Sequence, residues 1–128
     1  MKPLRLDRSL CVGCRLCEIV CSMRDEGTVN PKRARIRVPA SFPLPAPPIF
    51  CRMCPRPKCA EACPTGALDA KDIRVLDRSK CDLCGACVKA CPFEAIWKSP
   101  QEDVVLKCDL CGGDPLCAPH CPTGALSW

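Results

Sequence analysis

Cys81-Asp82-Leu83-Cys84-Gly85-Ala86-Cys87-Val88-Lys89-Ala90-Cys91-Pro92 is the stretch from which the rest of the chain can be read. Its cysteines are spaced C-x2-C-x2-C-x3-C and are followed by proline. Upstream, Cys11, Cys14, Cys17 and Cys21 repeat the spacing without the proline. Cys51, Cys54, Cys59 and Cys63 read C-x2-C-x4-C-x3-C, with Pro64 next. Cys108, Cys111, Cys117 and Cys121 read C-x2-C-x5-C-x3-C, with Pro122 next. These four quartets account for all 16 cysteines in 128 residues.

Three cysteines on a tight loop can converge their sulfurs on three irons of one cubane. The x3 step then makes about one helical turn and points the fourth sulfur away from its own loop. This is the bacterial ferredoxin spacing, in which the fourth cysteine ligates the neighbouring cluster. The proline fixes φ and keeps the preceding residue extended, which ends the short helix. The pattern therefore predicts four 4Fe-4S clusters, with all sixteen cysteines as iron ligands. Zinc fits less well, because its sites draw close cysteine pairs from knuckles roughly 12–20 residues apart. A disulfide framework fits less well too, since the opening MKPLRLDRSL has no apolar signal core.

The length suits one compact polyferredoxin unit spanning 1–128. Large apolar residues are scarce: two Trp, three Phe and no Tyr, against 15 Pro and 7 Gly. So thin a core calls for staples, and the clusters would be those staples. The formal charge of +5 counts every thiol as neutral. Sixteen thiolates and four oxidised cores bring the loaded protein to about −3. The basic sequence is then no argument for nucleic-acid binding. No apolar run is long enough to span a membrane, and the expected location is cytoplasmic.

Internal repeats support an α+β fold of two ferredoxin-like units, with short helices and β-hairpins wrapped around the clusters. Leu6-Asp7-Arg8-Ser9 recurs as Leu76-Asp77-Arg78-Ser79, and Cys63-Pro64-Thr65-Gly66-Ala67-Leu68 recurs from Cys121 to Leu126. One hairpin is expected between Ala67-Leu68 and Ile73 to Leu76, turning at Asp69 to Asp72. A second pairs Ala95 to Trp97 with Val104 to Leu106 across Ser99 to Asp103. Short helices are expected at Cys17–Ser22, Cys59–Cys63, Cys87–Cys91 and Cys117–Cys121.

Residues 22–50 form a Pro-rich insert. Arg33 to Val38 alternates with period two and reads as a strand with one basic face. Pro39 to Pro48 reads as polyproline II, either a connecting loop or a docking arm. His120, the single histidine, adjoins Cys121, and a bond to a sulfur would raise that cluster's potential. Its plainer reading is a surface or packing residue. Trp97, Trp128 and Met53 read as packing or interface residues. No nucleophile–base pair, phosphate loop or substrate pocket is visible, so no catalytic residue is assigned.

The order and spacing of the quartets resemble the four-cluster electron-transfer subunits of molybdenum and tungsten oxidoreductases. Cys54-Pro55-Arg56-Pro57-Lys58-Cys59, Lys107-Cys108-Asp109-Leu110-Cys111 and Pro115-Leu116-Cys117 carry the likeness, together with the two Cys-Pro-Thr-Gly-Ala runs. At the front, Cys11 to Glu18, Cys21 to Gly27 and Asn30-Pro31 through Arg35-Ile36 look like the small ferredoxin subunits of tungsten aldehyde oxidoreductases. The chain departs from the pattern in lacking proline after Cys21, in its short Gly112–Leu116 loop and in stopping at Trp128.

The resemblance implies nested, crossed ligation. An outer unit of 1–21 plus 92–128 would hold one cluster on Cys11, Cys14, Cys17 and Cys121, and another on Cys108, Cys111, Cys117 and Cys21. An inner unit of 51–91 would hold Cys51, Cys54 and Cys59 with Cys91, and Cys81, Cys84 and Cys87 with Cys63. Tandem pairing, quartet one with two and three with four, is the alternative. The implied function is non-catalytic: single electrons pass between the catalytic subunit of an oxidoreductase, a tungsten or molybdenum pterin enzyme, and a second redox carrier. A free soluble polyferredoxin and a zinc-stabilised binding module are the competing readings, and self-association is left open.

Overall fold

A computed structural model describes residues 3–39, 46–73, 76–99 and 104–128. The fold is a small mixture of short helices and two-stranded antiparallel pairs. Its first strand, β1 (Arg5–Leu6), lies against the last, β4 (Leu126–Ser127), with Arg5 opposite Ser127 and Leu6 opposite Leu126. Between them run helices α1 (Leu16–Glu26), α2 (Lys58–Ala62), α3 (Ala86–Ala90) and α4 (Cys117–His120), and a hairpin of β2 (Ile96–Lys98) with β3 (Val105–Lys107). The helices pack in two pairs, α1 on α4 and α2 on α3.

Each expected helix is present, and one is longer than expected. α1 continues to Glu26 because no proline follows Cys21, and it stops where Gly27 adopts a left-handed φ of 67°. The other three end at Cys63, Cys91 and Cys121, whose extended backbone precedes a proline. The second hairpin forms one residue later than read, with Trp97 opposite Leu106. Of its predicted turn, Ser99 to Asp103, residues 100–103 lie outside the described residues. Among the described residues the first hairpin shows a bridge between Leu68 and Leu76, reinforced by Asp77 N–H donating to Ala67 O at 2.8 Å. Arg74 and Val75 lie outside the described residues.

The basic alternation of 33–38 is real in burial and not in pairing. Ala34, Ile36 and Val38 are buried while Arg37 is exposed. The segment nevertheless opens as a 3-10 turn (Pro31–Arg33) and makes one bridge, Arg37 to Ile49. Its other amides go elsewhere: Arg35 N–H to Cys21 Sγ at 3.1 Å, and Val38 N–H to Glu18 Oε2 at 2.8 Å. A strand ladder cannot form where the donors are already used by α1. Most of the polyproline reading, 40–45, lies outside the described residues.

The core is thin. Phe50 and Leu110 are the large side chains with essentially no exposure among the described residues, and Cys17, Cys51, Cys59, Cys87 and Cys117 pack within the same cluster.

Candidate iron–sulfur sites

The loop before each second cysteine is held in the left-handed region. Gly13, Met53, Leu83 and Leu110 occupy this position, with φ of 70°, 50°, 62° and 56°. Such backbone is unfavourable for a side-chain-bearing residue by roughly 1–2 kcal/mol. It turns the intervening amides toward the sulfurs: Met53 N–H lies 3.4 Å from Cys51 Sγ, and Leu110 N–H lies 3.5 Å from Cys108 Sγ. The fourth cysteine of every quartet has a donor as well. Arg35 N–H serves Cys21 and Ala95 N–H serves Cys91 at 3.4 Å, while the Thr65 and Thr123 hydroxyls lie 3.6 and 3.8 Å from Cys63 and Cys121.

The helices then sort the sulfurs. Cys17 and Cys21 sit one turn apart on α1 and line different cavities. Cys11, Cys14, Cys17 and Cys121 line one cavity. Cys21, Cys108, Cys111 and Cys117 line a second. Cys51, Cys54, Cys59 and Cys91 line a third. Cys63 and Cys81 both act electrostatically on Cys87, so these three sulfurs neighbour one another too. None of the sixteen cysteines is joined to another in a disulfide.

The donors fit a polynuclear guest. Among the described residues no three Cys, His, Asp or Glu side chains are spaced to hold a single metal ion. Three cavities are nonetheless each ringed by four sulfurs. A tetrahedral zinc needs its sulfurs about 2.3 Å from one point, whereas a cubane carries its ligands on separate irons.

Electrostatics divide the thiols into two kinds. Burial pushes Cys17, Cys108 and Cys117 up to about 12, and Cys59 up to about 11. Any iron held there would have to expel a proton from each, so binding and deprotonation would be coupled. At Cys63 burial acts upward, but hydrogen bonds from Leu68 and Thr65 outweigh it and bring the thiol down to about 7. Cys121 is lowered for the same reason by Leu126 and Thr123.

Sequence reasoning missed the residues that bind the insert to these sites. Asp109 accepts from Arg24 and, at 2.7 Å, from Arg35, and it also accepts Cys111 N–H at 3.0 Å. Burial would raise this carboxyl, but the two guanidinium groups hold it down at about 2. One carboxylate thus ties α1, the insert and the quartet-four loop together. Asp109→Asn should lower the temperature at which the visible chromophore bleaches by on the order of 5 °C. A midpoint unchanged from wild type would show the clamp to be idle. Separations of 85 and 74 residues left no local signal for it. His120 is exposed, and its Nδ1 lies 2.7 Å from Leu116 O rather than on a sulfur. Trp97 lies under the Arg37 guanidinium at 4.7 Å, and Met53 is buried beside Cys51.

Residues 8–24 and 74–97 match two family models, each described as a 4Fe-4S binding domain. The chain is 44% identical, over 87% of its length, to the aliphatic sulfonate oxidoreductase polyferredoxin-like subunit of Pyrococcus furiosus, and covers 66% of it. It is 32% identical, over 95% of its length, to the thiosulfate reductase electron transfer subunit PhsB of Salmonella typhi, and covers 72% of it. It spans only 29% of the NADH-dependent phenylglyoxylate dehydrogenase subunit beta of Aromatoleum evansii, at 34% identity. Among solved structures, a chain of the active site complex BamBC of benzoyl coenzyme A reductase superposes with a TM-score of 0.56. The identity is 28%, with 99% of this chain and 77% of that chain covered.

Proposed function

Because this chain belongs to the family of 4Fe-4S electron-transfer subunits of oxidoreductases, we propose that it holds four clusters in a single file. The supporting observation is that cavities are ringed by cysteines of two quartets each: one with four, and two with three. When bound, the clusters supply reversible one-electron exchange. The chain's own residues set their order. Cys117 feels the charge of Cys17, which favours adjacency of the two outer-unit sites. Cys108 feels the charge of Cys51, which favours contact between the outer and inner units. The proposed file runs from the Cys11, Cys14, Cys17, Cys121 site to that of Cys21, Cys108, Cys111 and Cys117. It continues through Cys51, Cys54, Cys59 and Cys91 to Cys63, Cys81, Cys84 and Cys87. The two exposed cysteines, Cys14 and Cys84, then fall one at each end, where electrons must enter and leave.

The wrapping of two ferredoxin-like units, 1–21 with 92–128 and 51–91, around this file is part of the same reading. So is a separate catalytic subunit of tungsten or molybdenum type at one end, with a second carrier at the other. A reducing compartment, the cytoplasm, belongs to the reading too, because sixteen cysteines kept as iron ligands are not available for disulfides. Among the described residues no helix is long and apolar enough to cross a membrane.

Anaerobically purified chain should contain about sixteen iron and about sixteen acid-labile sulfide. By itself it should turn over no aldehyde, formate or hydrogen. Stoichiometric zinc with little sulfide, or substrate turnover free of any other subunit, would overturn the reading.

A further inference from the structure

Lys107 closes β3 and immediately precedes Cys108. Its exposure is 4%. The ammonium donates to Ile73 O and, at 3.1 Å, to Cys108 O. Among the described residues no carboxylate pairs with it. An ammonium carries three donors and a full charge, and two carbonyl dipoles do not neutralise it. Buried charges are otherwise paired, because desolvation is expensive. The missing negative charge has to come from nearby.

The two carbonyls show where. Ile73 lines the cavity of Cys51, Cys54, Cys59 and Cys91. Cys108 lines that of Cys21, Cys111 and Cys117. The field of Lys107 acts on Cys54 and Cys59 in the first and on Cys108 in the second. The main influences on Cys17, Cys63, Cys87 and Cys121, which belong to the two end sites, do not include it. Lys107 therefore stands at the seam between the two central sites.

We propose that Lys107 is a fixed buried cation shared by the two central clusters, a positioning residue that raises both of their reduction potentials relative to the ends. The inference rests on the four-cluster reading. An added electron makes a thiolate-ligated cluster more anionic, and a cation close by in a water-poor seam stabilises that reduced state. Salt cannot replace it, because buried charge is screened little. The middle of the file becomes a place where an electron rests.

The test compares wild type, Lys107→Gln and Lys107→Arg as full chains. Each is measured by iron and sulfide content and by an EPR-monitored redox titration. Gln keeps a donor and removes the charge, while Arg keeps the charge. In Lys107→Gln, two of the four midpoints should move negative by about tenfold in reduced-to-oxidised ratio, which is about 59 mV for a one-electron couple. The other two should stay within a third of that, and Lys107→Arg should track wild type. If Lys107→Gln sheds iron instead, retention of full iron in Lys107→Arg supports the need for charge. Four unmoved midpoints in iron-replete Lys107→Gln, or equal damage in Lys107→Arg, overturn the proposal. Wild-type protein without about sixteen iron overturns the four-cluster reading itself, so the two failures are distinguishable.

Discussion

Chelator-stripped, reduced protein is expected to show no cooperative thermal transition by circular dichroism, whereas the loaded protein shows one. The expected loss is the whole folding stability, on the order of 5–15 kcal/mol. Three features converge on it. The core has few large buried side chains, Phe50 and Leu110 foremost. Its helices are short: α2 and α3 have five residues each and α4 has four, well below what stands alone in water. Arg15, Met53, Leu83, Leu110 and Cys111 carry side chains at positive φ, a costly conformation that ligation of a cluster would reward. Ligand geometry and fold then form together. An apo protein that melts cooperatively at the loaded protein's temperature would disprove the dependence.

Cys21→Ser is expected to remove up to about four iron per chain, and to remove them from the Cys108, Cys111 and Cys117 site. α1 presents Cys17 to one cavity and Cys21 to another, one turn further on. Double variants separate the possible pairings, because losses add only at independent sites. Cys21→Ser with Cys108→Ser should lose no more iron than Cys21→Ser alone. Cys21→Ser with Cys51→Ser should lose about four more. The opposite result would support tandem pairing. Cys21→Ser should also stop electron passage along the file while leaving single-turnover chemistry in a catalytic subunit intact.

The quartets, the helices that carry them and one hairpin were legible because their determinants are local. A cysteine every third or fourth residue marks a loop and a helical turn, and proline marks its end. Length was misjudged at α1, where a missing proline had to be weighed against a glycine six residues beyond Cys21. The insert was misread as a strand because alternation reports burial and not hydrogen-bond partners. Its amides are claimed by Glu18 and Cys21, which no window of sequence shows. Lys107 and Asp109 flank Cys108 and were visible as a motif. Their roles depend on Ile73, Arg24 and Arg35, which are distant in the chain. The β1–β4 pairing was not foreseen, since two residues on each side give no periodicity to read.

That pairing has a consequence for biosynthesis. β1 and α1 leave the ribosome well before their partners α4 and β4 are translated. α2 and α3 can meet as soon as residue 91 has emerged. Cys11, Cys14, Cys17 and Cys21 must wait as loose thiols for roughly a hundred further codons, on the order of 5–20 s at ordinary translation rates. The nascent chain therefore matures from its centre outward. Its front quartet is the part most in need of protection from oxidation or stray metal during synthesis.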